Sequence, residues 1–183
     1  MKRPATDICV LLSGGVDSAL VLAMLSNRSP VSVWVDYGQP VADVERQASR
    51  AIANHFGSPW MEVVIKGLAP PASGEFLGRN DLLVAAALSV AGGGFVAIGT
   101  HAGTGYADCS LAWAGSWQAL LDAQHGGTAG LLAPLSNLDK AQVYELAVAN
   151  GVPIELTHSC ETTAAPCGSC SSCADRRLLD AGA

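Results

Sequence analysis

Residues 7–27 read DICVLLSGGVDSALVLAMLSN, and this stretch decides the fold. Residues 7–12 form a mostly apolar run with the length of a buried strand, and residues 17–27 have the apolar spacing of a helix. Gly14 and Gly15 lie between them and allow a tight turn, because glycine reaches backbone conformations closed to other residues. The stretch therefore predicts a strand, a turn and a helix. The predicted inner face of the helix consists of Ala19, Leu20, Ala23 and Met24.

The rest of the chain repeats this alternation of strand and helix. A strand and a helix that alternate along a chain build right-handed crossovers and a parallel sheet with both faces covered. The predicted class is α/β, a doubly wound, Rossmann-like parallel sheet of about five strands. Strands are predicted at 31–35, 60–65, 95–98 and near 131–132, and helices at 42–56, 81–91, 111–125 and, after a capping box at 136–139, up to residue 150.

Composition limits the classes of function. The chain has 183 residues, of which 50% are apolar and 14% are charged, as is typical of a compact globular protein. Its net charge of −6 disfavours nucleic acid as a partner, because duplex binding normally needs a basic face. The N-terminal apolar run is too short for a signal peptide or a membrane span, so a cytoplasmic protein is expected. The apolar content favours an oligomer, and a homodimer is expected.

The turn LSGGVDS at residues 12–18 is predicted to bind phosphate. In a doubly wound fold the loop after the first strand lies at the carboxyl edge of the sheet, where ligands bind. The two glycines let the backbone approach an anion, the helix N-terminus directs free N–H groups at it, and the two serines add donors. The loop lacks the lysine of the GxxxxGK[ST] pattern. That absence fits a loop that holds pyrophosphate as a leaving group, with Mg²⁺ as counter-charge near Asp17; the alternative is an ordinary turn capped by serine.

Four cysteines crowd the C-terminal end of the chain. Cys160, Cys167, Cys170 and Cys173 have the spacing C-x6-C-x2-C-x2-C, which is typical of one tetrahedral Zn²⁺. With four protein ligands a structural role is expected; an iron–sulfur cluster and disulfides are the alternatives. The chain is therefore divided into a nucleotide-binding domain at 1–155 and a zinc-binding segment at 156–183.

Three further residues carry weaker signals. His101 follows a predicted strand at the ligand-binding edge and is either a nucleotide contact or a hydrogen-bonded loop histidine. Trp113 and Trp117 lie four residues apart on one helix face and are predicted to line either the core or a dimer interface.

The phosphate loop resembles the SGGxDS signature of the PP-loop ATP pyrophosphatases, the adenylating family that includes GMP synthetase, argininosuccinate synthetase and tRNA thiolases. The resemblance implies an adenine nucleotide alpha-hydrolase-like fold and cleavage of ATP between its α and β phosphates. The residues it assigns to the nucleotide are Leu12, Ser13, Gly14, Gly15, Asp17, Ser18, Val35, Asp36 and Gly99.

Motifs further along narrow this resemblance to the 7-cyano-7-deazaguanine (preQ0) synthases of the QueC family. They are DYGQ at 36–39, FLGRN at 76–80, GYADC at 105–109, PLS at 134–136 and the cysteine tail. The resemblance implies that ATP adenylates a 7-deazaguanine carboxylic acid, that ammonia then gives the amide, and that a second ATP gives the nitrile. It implies ATP, Mg²⁺ and Zn²⁺ as cofactors.

The resemblance also implies roles for single residues. Arg79 would meet a developing phosphate or carboxylate charge, Lys140 a phosphate, and Asp108 the guanine-like edge of the substrate. The expected catalytic residues are Asp17, Arg79 and Lys140. The expected substrate contacts are Arg79, Asn80, Tyr106 and Asp108. The alternatives are a solvated Arg79, a helix-capping Asp108 and a surface Lys140.

The chain departs from the family pattern after DYGQ. The family continues with Arg-His and then a glutamate, whereas this chain has Pro40, Val41 and Val44, so two basic groups and an acid are expected to be missing near the site. The departure supports a second hypothesis, an antiphage-defence relative that couples an activated deazaguanine to a protein or nucleic-acid acceptor. A third is a nucleotide-binding module that is not an enzyme, which the intact SGGVDS loop argues against.

Overall fold

The computed structural model describes residues 7–91 and 94–181. It contains a sheet of five strands, all parallel, in the order β3-β2-β1-β4-β5. The predicted α/β class is therefore confirmed. In chain order the strands and helices are β1 Ile8–Leu11, α1 Val16–Leu25, β2 Val31–Asp36, α2 Ala42–His55, β3 Trp60–Val64, α3 Arg79–Ala91, β4 Phe95–Ala97, α4 Leu111–His125, β5 Gly130–Leu132, α5 Lys140–Ala149 and α6 Ser171–Ala181.

Helices cover both faces of the sheet. One apolar cluster joins the sheet to α1, α2 and α5, and the other joins it to α3 and α4. Strand β1 is buried along its whole length, as expected of a central strand in a parallel sheet. Cys9 in this strand is 1% exposed and packs as a buried apolar residue.

The predicted inner face of α1 is partly wrong. Ala19 and Leu20 are buried, but Val21 and Leu22 are buried as well, and Met24 is 42% exposed. Helix α1 is covered by the sheet, α2 and α5 together, so its buried surface is wider than a single stripe. A sequence that is apolar all round cannot reveal which side faces the core.

Helix α5 begins later than the capping box predicted at 136–139. Asp139 is its N-cap and accepts a hydrogen bond from the backbone N–H of Gln142, whose side chain accepts one from the backbone N–H of Asp139. The capping box therefore lies three residues further along the chain. Lys140 consequently occupies the first helical position, at the carboxyl edge of the sheet.

The cysteine segment packs against the rest of the chain. The guanidinium of Arg176 on α6 donates to the carbonyl oxygen of Ile154 at 3.1 Å and to the hydroxyl of Thr157 at 2.9 Å. The hydroxyl of Tyr144 on α5 donates to Asp180 at 2.7 Å. The division at residues 155 and 156 stays a prediction. Residues 1–6, 92–93 and 182–183 of the two predicted segments lie outside the described residues.

Within the described ranges, no helix is both long enough and apolar enough to span a membrane.

Candidate functional site

A cavity of about 400 Å³ lies at the carboxyl edge of the sheet. It opens between the loops that follow β1 and β4, where the order of the strands reverses. Doubly wound folds bind ligands at this position, because the loops there diverge to opposite faces of the sheet. Five helices, α1, α2, α3, α5 and α6, have residues of their first turn on its wall, so several helix N-termini favour an anion there.

The phosphate loop forms one wall of the cavity. The hydroxyls of Ser13 and Ser18 lie 3.1 Å apart, and Ser18 donates to the carbonyl oxygen of Gly15 at 3.1 Å. Gly14 has a φ of +96°, and a Cβ there would lie 2.9 Å from the Cβ of Ala48 on α2. Gly14 therefore permits the turn and its packing, whereas Leu12, Ser13, Gly15, Asp17 and Ser18 line the cavity.

Gly99 brings the end of β4 against the first turn of α1. A Cβ on Gly99 would lie 2.9 Å from the backbone carbonyl carbon of Asp17 and from the backbone nitrogen of Ser18. Real Cβ atoms do not approach backbone that closely, so only glycine fits without a shift. The predicted nucleotide residues Val35 and Gly99 both line the cavity.

Asp17 and Lys140 form an ion pair on the wall of the cavity. The Nζ of Lys140 lies 2.8 Å from both carboxylate oxygens of Asp17, and the two side chains are 31% and 26% exposed. The Nε2 of His101 lies 3.8 Å from Asp17 Oδ2. Burial lowers the pKa of His101, against the opposing charge of Asp17. The structure thus brings together two of the predicted catalytic residues and adds a histidine.

The other predicted catalytic residue, Arg79, lies in a charged cluster elsewhere on the wall. Its guanidinium pairs with Glu75, and Glu45 is also close enough to influence it. The amide of Gln39 donates to Glu45 at 2.8 Å, and burial raises the pKa of the Glu45 carboxyl, against this hydrogen bond and the charge of Arg79. Tyr37 borders the same cluster. This Arg79 cluster, made of Glu45, Glu75 and Arg79, contains two carboxyl groups and one arginine, so it offers more acceptor oxygens than cations.

Glu45 supplies an acid at the site, where the sequence predicts that one is missing because Val44 stands in place of the family glutamate. Val44 is half-buried and outside the cavity wall, but the next residue, Glu45, is on it. The expected loss of an acid near the site is therefore wrong. Pro40 is exposed and Val41 is 5% exposed as the N-cap residue of α2, so neither supplies a charge there. Glu45 and Glu75 were missed because neither belongs to a motif with a known spacing.

The predicted substrate contacts are only partly on the cavity wall. Asn80 and Tyr106 line it. Asp108 does not; its Oδ2 accepts a hydrogen bond of 3.3 Å from the backbone nitrogen of Asn80, in the first turn of α3. Its backbone carbonyl oxygen accepts one of 3.0 Å from the Asn80 side chain. These contacts match the helix-capping alternative for Asp108, and its contact with a substrate stays a prediction.

Asp36, expected near the nucleotide, is engaged outside the cavity. Its Oδ2 pairs with Arg46 at 2.9 Å, and its Oδ1 accepts a hydrogen bond of 3.0 Å from the backbone nitrogen of Gly38. These bonds shape the turn after β2. The nucleotide role of Asp36 stays a prediction.

The four tail cysteines converge on one point. Their sulfur atoms all lie within 4.8 Å of one another, and those of Cys167 and Cys173 are 3.9 Å apart. Four thiolates at about 2.3 Å from one tetrahedral Zn²⁺ lie about 3.8 Å apart, so the cluster can hold the ion after a small contraction. All four cysteines are free of disulfides. The donor set therefore fits zinc, and sulfurs this close fit one ion better than a multi-iron cluster.

At two of the four cysteines, Cys160 and Cys167, local donors favour the thiolate form that a metal needs. The hydroxyl of Ser169, followed by the backbone N–H groups of Ser169 and Cys170, lowers the pKa of the Cys167 thiol to about 6. Burial raises the pKa of the Cys160 thiol, but the hydroxyl of Thr163 and nearby backbone N–H groups outweigh it and bring the pKa to about 5.

The cysteine segment contacts the phosphate loop directly. The backbone nitrogen of His158 donates to the carbonyl oxygen of Gly14 at 2.9 Å, and the ring of His158 bonds the carbonyl oxygen of Cys160 at 2.8 Å. Cys160 itself lines the cavity. A metal on the cysteines would therefore also hold one wall of the cavity in place.

The two predicted helix tryptophans line the core. Trp113 and Trp117 pack against the apolar cluster beneath α3 and α4, and both indole N–H groups donate to Asp81 Oδ1 at 2.7 Å. This carboxylate joins α4 to the first turn of α3, next to Arg79 and Asn80.

Comparison with known proteins agrees with this geometry. Residues 75–178 match the family model described as queuosine biosynthesis protein QueC, which is more than half of the chain. The chain belongs to the QueC family. Residues 3–70, which contain the phosphate loop, match the asparagine synthase family model, as expected of the PP-loop superfamily.

Curated relatives of this QueC-family chain cover nearly all of it. The 7-cyano-7-deazaguanine synthase of Gloeothece citriformis (strain PCC 7424) is 33% identical, over 100% of this chain and 94% of the relative. The 7-cyano-7-deazaguanine synthase of Prochlorococcus marinus (strain MIT 9312) is 31% identical, over 91% of this chain and 90% of the relative. Among solved structures, NMN synthetase from Francisella tularensis is similar with a TM-score of 0.48 and 20% identity, over 84% of this chain and 65% of that one. At that score the likeness carries no weight here.

Proposed function

We propose that this QueC-family chain is an ATP-dependent ligase that converts a 7-deazaguanine carboxylic acid and ammonia into 7-cyano-7-deazaguanine. The observation that carries the proposal is that the phosphate loop and the Arg79 cluster open into one cavity. Adenylation requires this arrangement, because the α-phosphorus of ATP and the acid must meet. The names of the relatives supply the substrate class.

In the proposed reaction the enzyme uses two molecules of ATP, one after the other. Each ATP attaches AMP to an oxygen of the substrate and so makes that oxygen part of a good leaving group. A carboxylate oxygen attacks the α-phosphorus, and pyrophosphate leaves. Ammonia then attacks the acyl carbon, AMP leaves with the bond electrons, and a proton is released to give the amide. The amide oxygen attacks the α-phosphorus of a second ATP, and pyrophosphate leaves. Loss of AMP, which carries away the amide oxygen, and of both N–H protons then gives the nitrile. Positioning and charge neutralisation are the enzyme's main contributions to such steps.

The phosphate loop is proposed to hold the leaving pyrophosphate. The hydroxyls of Ser13 and Ser18 and the free N–H groups at the start of α1 face the anion, and Lys140 supplies a positive charge next to Asp17. Asp17 is the carboxylate that would hold Mg²⁺, which is usually bound by one or two carboxylates together with substrate phosphates. When bound, Mg²⁺ would neutralise phosphate charge. Val35 and Gly99 would border the nucleotide.

The charged and polar groups on the cavity wall indicate how the substrate, a carboxylic acid, is oriented. The Arg79 cluster contains the carboxyl groups of Glu45 and Glu75 and only one arginine, so its acceptor oxygens suit the N–H donors of an aminopyrimidinone ring better than a carboxylate. The carboxylate of the substrate would then point toward the phosphate loop, where it must attack. Arg79 would hold the two acids in place, which differs from the charge-neutralising role expected from sequence. Asn80 and Tyr106 would contact the ring.

The four cysteines are proposed to bind a structural Zn²⁺, since all four positions of the ion would be filled by thiolates. The homodimer and the cytoplasmic location stay predictions.

Mass spectrometry of one reaction tests the proposed function. The purified protein is incubated with ATP, Mg²⁺, 7-carboxy-7-deazaguanine and ammonium, and pyrophosphate, AMP, amide and nitrile are measured. The nitrile is expected, together with two AMP per product. Asp17→Asn is expected to abolish pyrophosphate release, whereas Asp7→Asn, an exposed acid outside the cavity wall, is expected to leave it unchanged. AMP and pyrophosphate without nitrile would contradict the proposal and favour transfer to a protein or nucleic-acid acceptor; no pyrophosphate would favour a binding module.

A further inference from the structure

His101 is a buried polar residue on the cavity wall that neither the phosphate loop nor the Arg79 cluster includes. It follows β4, its side chain is 7% exposed, and it borders the ion pair of Asp17 and Lys140. A buried imidazole without a hydrogen-bonding function is unfavourable, so the bonds of its two nitrogens indicate what it does.

One nitrogen of the ring is an acceptor. The backbone N–H of Gly103 donates to His101 Nδ1 at 3.0 Å, so Nδ1 carries no proton, and in the neutral ring the proton is on Nε2. Gly103 also packs closely against the ring, since a Cβ there would lie 3.0 Å from both Cε1 and Nδ1. The loop thus holds His101 in one tautomer and one orientation.

The other nitrogen lies beside Asp17. Nε2 is 3.8 Å from Asp17 Oδ2, which is too long for a hydrogen bond while Lys140 occupies both carboxylate oxygens at 2.8 Å. The charged groups that face the ring are Asp17 from α1, Lys140 from α5, Asp139 at the N-cap of α5, and Asp175 from α6. A carboxylate freed from Lys140 needs only a small rotation to accept the Nε2–H.

We propose that His101 is a positioning residue for Asp17. When the phosphates of ATP draw Lys140 away, the Nε2–H of His101 takes over as the donor to Asp17 Oδ2 and keeps the carboxylate in place beside the nucleotide. The inference rests on the proposed use of ATP. In this proposal Nε2 positions Asp17, whereas a role limited to stabilising the loop would depend on Nδ1.

Three substitutions separate these two roles. Glutamine places its amide N–H₂ near the position of Nε2, and asparagine places its amide near the position of Nδ1. His101→Gln is expected to keep ATP affinity within about threefold of wild type, while His101→Asn and His101→Ala lose about tenfold, the effect typical of one hydrogen bond to a charged group. Among the three variants, thermal stability should be highest in His101→Asn, because only Asn can replace the acceptor for the Gly103 N–H.

The measurements are isothermal titration with Mg²⁺ and α,β-methylene-ATP, the initial rate of pyrophosphate release, and the melting temperature of each full-length variant. Retained affinity in His101→Asn with loss in His101→Gln would overturn the proposal in favour of a loop role. Equal affinity in wild type and all three variants would also overturn it. If wild type itself neither bound the analogue nor released pyrophosphate, the proposed function would fail instead, so the two failures are distinguishable.

Discussion

Replacing Lys140 with methionine should change metal affinity and nucleotide affinity in opposite directions. In the ligand-free chain the ammonium group of Lys140 occupies both oxygens of Asp17 and competes with any cation for that carboxylate. With nucleotide bound, the same ammonium is proposed to face phosphate. Lys140→Met therefore frees Asp17 for a divalent ion in the absence of ATP but removes a positive charge when ATP is present.

The size of the effect follows from the geometry of the pair. Two unit charges about 4 Å apart attract by about 4 kcal/mol at an effective dielectric constant of about 20. The side chains of Lys140 and Asp17 are 31% and 26% exposed, and solvent screening reduces the net value to about 1.5 kcal/mol. That free energy corresponds to roughly a tenfold gain in affinity for a divalent ion without nucleotide. The lost contact to phosphate should weaken ATP binding at least tenfold.

Mn²⁺ serves as the probe ion, because its free and bound forms are distinguished by electron paramagnetic resonance. Mn²⁺ is titrated into the nucleotide-free protein, and α,β-methylene-ATP affinity is measured separately by calorimetry. Lys66→Met is the matched control, since Lys66 is exposed and lies outside the cavity wall. If Lys140→Met left Mn²⁺ affinity unchanged, or lowered both affinities together, competition between Lys140 and the metal for Asp17 would be refuted.

Four further outcomes are expected. Purified protein should contain one zinc per chain by atomic emission, and Cys170→Ser or a chelator should lower the helical circular dichroism of α6 and weaken ATP binding; neither zinc nor iron in the protein would contradict this. Gly99→Ala should lower the free energy of unfolding by about 1–3 kcal/mol, because its Cβ meets α1 backbone, whereas Gly105→Ala, with open space around it, should stay within about 0.5 kcal/mol in urea denaturation. Gly115→Ala should raise the free energy of unfolding by about 0.5–1 kcal/mol, since this exposed glycine is inside α4; a lowered midpoint would count against that assignment. Glu45→Gln should raise the KM for the deazaguanine acid about tenfold and leave the KM for ATP unchanged in steady-state assays; a larger effect on ATP would place the nucleotide, not the ring, beside Glu45.

Much of the fold was predictable because its signals are local. The bounds of α4 agree with the predicted 111–125, and the strands lie within one or two residues of their predicted positions. Where the sequence is apolar all round, as in α1, periodicity could not identify the buried face, and Met24 was misplaced.

The candidate site was predictable only where a motif carries its own geometry. The SGGVDS loop and the four cysteines are short segments whose spacing determines which atoms converge. Asp108 belongs to the GYADC motif, but its side chain does not line the cavity. Its carboxylate instead accepts a hydrogen bond from the backbone nitrogen of Asn80 at the start of α3. Glu45 faces the cavity although the motif points to residue 44, since one residue along a helix turns the side chain by about 100°.

The sequence by itself determined the order of strands and helices, the phosphate loop and the metal donors, because each depends on residues close together in the chain. Only the tertiary structure decided which distant side chains meet. Asp17 and Lys140 are 123 positions apart, and their contact requires α1 and α5 to pack on the same face of the sheet. His101 joins them because β4 pairs beside β1, so that both strands end at the same edge. Parallel pairing converts separate sequence positions into neighbours at that edge, and no local pattern carries this information.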